Sequence, residues 1–293
     1  MSLVSTIFSR VGYRIGGGTR ISFSSDPTEA TFIAWLNETN LWLTGLCAEN
    51  NSDLGRTIGS ITTVCADISA ATAAANCQIT ATSHGLITSG TCEAMIWDVS
   101  GMTELNDTEY TATYVSANAL TLGVASTAYT TYTSGGYISK RKFTDLASYI
   151  YAPAHLLDEN GDTYNGWIVD DHSRNKLKLR SESCLGDYDP VGYGKPTEYY
   201  IDGSNNVCFP IYPDDAYTVK IPYYTIPTAI TATTDTVPFL GLFDNVIIEA
   251  LTWRAQNRDE YDVTGEMKWQ SFLNERVLRL IAHRKQMTSS VVM

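Results

Sequence analysis

Between Arg56 and Lys140 the chain has no lysine and no arginine. The stretch 57–139 is crowded instead with threonine, alanine, glycine and tyrosine. Its six charges, Asp67, Glu93, Asp98, Glu104, Asp107 and Glu109, are all acidic. On either side the sequence carries mixed charge and apolar residues at helical spacing. Threonine and tyrosine suit the half-buried, pleated surface of a sheet. The break therefore predicts a β-rich module, residues 57–139, set into a host domain made of residues 1–56 and 140–293. The host must close from two separated halves.

In the first half, Leu3, Val4, Ile7, Phe8 and Val11 predict a short amphipathic helix, ended by Gly16-Gly17-Gly18. Asp26-Pro27-Thr28-Glu29 predicts a second helix start, with Asp26 as cap, Pro27 in the first turn and Glu29 at the capping-box position. Phe32, Ile33, Trp35, Leu36, Trp42, Leu43 and Leu46 then form a wide stripe to about Cys47, so this helix needs several neighbours. At the far end, Leu242, Val246, Ile247, Ala250, Leu251 and Arg254 lie at helical spacing. So do Trp269, Phe272, Leu273, Arg276, Val277, Leu280 and Ile281. The polar break 258–262 between them predicts an antiparallel helical hairpin.

Within the module, 77–82, 92–98, 110–115, 119–122 and 137–138 read as short strands between turn clusters, the pattern of a small sandwich or barrel. After it, 152–171 reads mostly as loop, with 167–169 and 177–179 as strands. Segments 199–201, 207–212 and 217–224 predict a three-stranded meander, with Pro210 and Pro222 marking edges or bulges. The expected fold class is α+β: a helical bundle with a small antiparallel β-meander, interrupted by an inserted all-β domain.

A net charge of −12 argues against a surface that tracks phosphates with clustered Lys and Arg. DNA could still slide past an acidic wall. The six cysteines form no C-x-x-C pair and no metal spacing. They read as reduced thiols, with a disulfide among Cys47, Cys65, Cys77 and Cys92 as the alternative. The N-terminal residues lack the basic start and apolar run of a signal peptide. No segment has the ~18 consecutive apolar residues of a membrane span.

Catalytic and cofactor readings find little purchase. His84, His155, His172 and His283 are far apart, and none sits in H-E-x-x-H. His84 reads as a turn residue, and Asp170-Asp171-His172 as a solvated loop. Asp158-Glu159-Asn160-Gly161-Asp162 hints at a calcium loop, but Thr163 and Val169 stand where Gly and Glu belong. The expectation is therefore no enzyme, no catalytic, metal or cofactor site, and Trp35, Trp42, Trp253 and Trp269 as core or interface anchors.

Three pieces of the joined host resemble the head-to-tail adaptor (connector) proteins of short-tailed bacteriophages. The first is the helix start from Asp26 through Pro27, Glu29 and Ala30 to Asn37-Glu38. The second is Gly194-Lys195-Pro196-Thr197-Glu198-Tyr199-Tyr200-Ile201, followed by Val207-Cys208-Phe209-Pro210 and Tyr217-Thr218-Val219-Lys220-Ile221-Pro222-Tyr223-Tyr224. The third is Asp235, Pro238 and Phe243 before the helix pair. The insert resembles a β module found in phage virion proteins and similar to one in ubiquitin-activating enzymes. Ile79-Thr80-Ala81-Thr82-Ser83-His84-Gly85-Leu86, Val99-Ser100-Gly101-Met102-Thr103-Glu104-Leu105-Asn106 and Tyr132-Thr133-Ser134-Gly135-Gly136 carry that likeness. It imports no ubiquitin chemistry.

The resemblance implies a structural virion protein at the neck, assembled in the host cytoplasm: a twelve-copy ring joining portal to tail and continuing the DNA channel. Its implied partners are the portal, neighbouring adaptor subunits and a tail tube or nozzle protein. DNA would pass without sequence-specific binding, and no membrane is involved. Arg276, Arg279, Arg284 and Lys285 are the expected portal or ring contacts, against the alternative of cations that merely favour a helix C-terminus. The module is expected to project outward, to meet tail fibres, and to be dispensable for ring assembly. The rival functions are a tail-fibre or receptor-binding protein, and a glycan hydrolase.

Overall fold

The computed structural model describes residues 2–16, 27–158, 160–169, 174–257 and 263–289. Helices α1 (Val4–Ile15) and α2 (Glu29–Glu49) open the chain, and α3 (Asp244–Gln256) and α4 (Val263–Ser289) close it. Between them come β1 (Arg56–Thr62), β2 (Cys65–Asp67), β3 (Ala70–Ala71), β4 (Gln78–Thr80), β5 (Thr91–Trp97), β6 (Thr108–Ser116), β7 (Ala119–Thr121) and β8 (Tyr137–Ser139). The return to the host carries β9 (Lys142–Phe143), β10 (Ile150–Pro153), β11 (Leu156–Leu157), β12 (Thr163–Tyr164), β13 (Gly166–Val169) and β14 (Arg174–Leu179). The last strands are β15 (Tyr193–Gly194), β16 (Glu198–Ile201), β17 (Val207–Cys208), β18 (Tyr212–Pro213) and β19 (Thr218–Thr225).

The chain divides into two compact units. One holds Met1–Thr57, Tyr151–Ala154 and Tyr223–Met293; the other holds Ile58–Ile150 and His155–Pro222. The first is helical. α1 buries Val4, Ile7, Phe8 and Val11, the spacing of one helix face. α2 buries Phe32, Leu36, Leu43 and Cys47 in the same core, with Val246, Ile247 and Leu251 of α3 and Leu273, Val277 and Ile281 of α4. Trp253 late in α3 stacks on Trp269 early in α4, and Glu249 one turn earlier in α3 meets Arg276 further along α4. That order makes the pair antiparallel, as the sequence predicts, although the turn 258–262 lies outside the described residues. The start of α2 differs from expectation. Thr28 is the cap, its hydroxyl accepting from the Thr31 amide at 3.3 Å, and Glu29 is the first helical residue. Asp26 lies outside the described residues.

The second unit corrects the expected fold class. The protein is mostly β, with two curled half-barrel sheets and about 30% helix, so it is not a helical bundle with a minor meander. One sheet runs β2-β8-β5-β6-β7-β4-β3 and falls within the predicted module. The other runs β1-β19-β13-β14-β16-β17-β9 and pairs β1, which lies almost wholly inside the predicted 57–139, with strands that follow that stretch. The predicted meander is not one. β16 and β17 form a hairpin, but β17 then pairs with β9, while β19 pairs with β13. Segment 207–212 is broken after Cys208: the Phe209 amide turns to the Arg141 carbonyl, and Pro210 has no N–H to continue a ladder. β14 and β16 even run parallel. Pro222 sits inside β19, past Lys220, the last residue of that strand paired with β13. The expected loop 152–171 contains β11 and β12, two residues each and too short to show alternation, while β13 falls on the expected strand 167–169.

Candidate assembly surfaces

The four cations predicted to contact partners all sit on α4, but their own partners lie on three elements. Arg276 is bonded to the Glu249 carboxylate on α3, which also has Arg14 of α1 within 3.9 Å. Arg284 Nε donates to Asp53 Oδ2 at 3.1 Å. Lys285 Nζ donates to the carbonyl of Asn50, the C-cap of α2, at 2.6 Å, where a cation meets the negative end of the helix dipole. Arg279 pairs only along its own helix, with Glu275 at 2.5 Å, and is 78% exposed. Three of the four therefore reach from α4 to neighbouring elements, though Lys285 is also exposed, and Arg279 pairs along its own helix.

Nearer the start of α4, α2, α3 and α4 frame a notch of about 130 Å³ lined by Trp42, Trp253, Trp269, Leu273, Glu38 and Arg254. Trp269 also stacks on Phe272, which is half exposed, and Met267 and Leu278 are exposed on the same helix. Tryptophan, arginine and exposed apolar side chains are the composition of interface anchors. The tryptophans were legible as anchors in sequence; the notch they frame was not.

The module has its own core of Ile79, Ala94, Ile96, Met102, Leu105, Leu120 and Ile138. Its motif residues are structural. His84 is buried, its Nε2 lies 2.9 Å from the Ser116 carbonyl, and its Nδ1 accepts from the Leu86 amide at 3.2 Å. Those bonds assign the proton to Nε2. Asn106 brackets Val99, accepting from its amide at 2.8 Å and donating to its carbonyl at 3.0 Å. Gly101, at φ +89°, lies so close to segment 131–133 that a Cβ would collide with the Thr131 carbonyl. Gly136, at φ +98°, leaves no room for a Cβ against Val99.

A surface groove near the start of the module brings Cys65, Asp67 and His84 together, the residue types of a thiol nucleophile site. Their chemistry is otherwise. Both imidazole nitrogens are taken by backbone groups. Burial, reinforced by Asp214, Asp215 and Asp67, pushes the Cys65 thiol up to about 12. Cys47 rises to about 12 and Cys92 and Cys208 to about 11, burial being the largest cause in each. All six cysteines are free.

The acidic loop at Asp158 is closed by protein rather than shaped for calcium. Its carboxylate accepts from the Asn160 and Asp162 amides at 2.9 and 2.8 Å and is paired with Lys176. The lysine hydrogen bond, with those amides, holds the carboxyl below the usual range. Among the described residues, no three His, Cys, Asp or Glu side chains are placed to hold a metal. Asp170, Asp171 and His172 lie outside the described residues. No helix among them is long and apolar enough to cross a membrane.

One set of contacts has no sequence signal. Glu109, near the start of β6, accepts from the buried Tyr212 hydroxyl and pairs with Arg141 at 2.9 Å. Trp97 of β5 stacks on Tyr193 of β15, centroids 4.7 Å apart at 14°. These bonds join residues far apart in sequence, which no local pattern can announce.

A family model described as SU10 adaptor protein matches residues 115–293, more than half of the chain. No curated protein matches it.

Proposed function

The chain belongs to the SU10 adaptor protein family, a phage head-to-tail adaptor family, and from that premise we propose that it forms a ring of twelve at the virion neck, joining portal to tail and continuing the DNA channel. The family match carries this reading, and with it a structural rather than enzymatic role. The surfaces fit it. A closed ring needs two different patches on each subunit, and α4 contributes to one: the tryptophan notch, with Phe272 stacked on Trp269, and further along the helix the exposed Arg279. Arg279 is the portal or ring contact on this reading, with Arg276, Arg284 and Lys285 holding the helix that presents it. The acidic surface suits a bore through which DNA moves without sequence-specific binding. The six free thiols suit assembly in a reducing host cytoplasm.

The module, residues 57–139 within the host 1–56 and 140–293, is the candidate platform for a tail fibre or nozzle protein. Asp67, Glu93, Asp98, Glu104 and Asp107 are exposed on it, and among the described ion pairs only Glu109 of the module meets a cation. Imaging the protein mixed with isolated portal rings tests the proposal. A second ring stacked coaxially on the portal is expected, lost in Arg279→Glu and retained in Glu275→Gln. Unchanged binding of Arg279→Glu removes α4 from the contact, and no decoration of the portal removes the adaptor reading.

A further inference from the structure

We infer that the module is a rigid arm, locked to the host strands of its own unit so that it cannot swing about its two linkers. Both crossings are pinned. On the way in, the Thr63 amide donates to the Tyr217 carbonyl at 2.9 Å, and its hydroxyl donates to the Asp215 carbonyl and accepts from the Tyr217 amide, each at 2.7 Å. On the way out, Arg141 accepts from the Phe209 amide through its carbonyl at 2.9 Å, and its guanidinium lies 5.2 Å from the Tyr212 ring centre while gripping Glu109.

Between these pins the module sheet meets the two-stranded β15–β18 ribbon across a seam with a buried centre. Met95 and Trp97 of β5 pack on Tyr212 of β18, and none of the three exceeds 2% exposure. Trp97 is held between Tyr193 on the host side and Tyr137 on the module side, at 4.7 and 5.9 Å. The Tyr212 hydroxyl crosses the seam to Glu109. A hinge needs linker residues free to change φ and ψ with few contacts across the joint. Here the linker backbone is hydrogen-bonded, and the joint buries Trp97 and Tyr212, with Tyr193, Tyr137 and the charge-assisted Tyr212–Glu109 hydrogen bond at its part-exposed rim. The module and the strands around 190–217 therefore open together, and whatever docks on the module reaches the host through a fixed geometry. This holds whichever partner the module meets.

Native-state hydrogen exchange on the full-length protein tests it. In the wild type, the slowest amides of β5 and β8 and those of β17 and β19 should open with the same protection. In Glu109→Ala/Tyr193→Ala, exchange in both sets should quicken together, roughly 10- to 100-fold, while Glu93→Gln changes neither. If the double variant fails to fold, Glu109→Gln carries the same comparison at smaller amplitude. Separate opening of the two sets in the wild type, or acceleration confined to one set in the variant, overturns the inference.

Discussion

At the scale of single residues, the chemistry-bearing side chains serve the fold. His84 satisfies two buried backbone groups, so His84→Ala strands both. Each such group costs about 1–3 kcal/mol, and chemical denaturation should show a loss in that range or above it. Gly101→Ala asks for a Cβ where the Thr131 carbonyl already stands, at a backbone angle few side chains adopt. Soluble expression or the melting temperature should fall more sharply there than for Gly90→Ala, where the space is open.

Asp202 ties the turn between β16 and β17, taking the amides of Ser204 and Asn206, the Asn206 side chain and Lys142. Burial alone would raise its carboxyl, but these bonds outweigh it and hold it well below the usual range. With the folded value below the unfolded ~3.9, its contribution is complete above about pH 4 and is lost as pH falls toward the folded value. Asp202→Asn should lower stability at pH 7 and flatten the decline below pH 4. The His84 turn was legible because Ser83, His84 and Gly85 adjoin, but the bond from His84 to the Ser116 carbonyl, 32 positions on, was not.

At the scale of elements, helices were legible and short strands were not. α1 and α4 announce themselves by a periodic apolar stripe that recurs over several turns. β9 and β15 have two residues each, and no period can be read from two positions; 207–212, expected as one strand, is split into β17 and β18. Tyr199, Val207 and Val219 were assigned to strands, but which strand lies beside which depends on long-range pairing, and β14 beside β16 is parallel where a meander was expected. Pro210 and Arg141 decide the break in 207–212, and they are far apart in sequence. On α4, Arg279→Ala removes only an exposed pair, so its stability cost should stay within about 0.5 kcal/mol. Loss of portal binding without loss of stability would separate contact from bracing. Arg276→Ala should instead loosen α4, seen as faster exchange of its amides.

At the scale of the whole molecule, the absence of Lys and Arg in 57–139 marked a real compositional boundary, and the sheet inside it has a core of its own. What composition could not reveal is the seam: Tyr212 and Tyr193 lie more than fifty residues past the module, and only the folded chain brings them to Glu109 and Trp97. Deleting 57–139 would uncover Tyr212 and orphan Arg141, so the earlier expectation of a dispensable module gives way to one of damage to the host strands. The assembly surfaces were half legible. α4 was picked out by its cations, three of which reach neighbouring elements, while the tryptophan notch emerges only when α2, α3 and α4 meet. The most direct test of the adaptor account is the native mass of the purified full-length protein alone and after mixing with portal rings. The account predicts a monomer that adds twelve copies per portal ring. A stable trimer that leaves the portal bare would contradict it and favour a fibre.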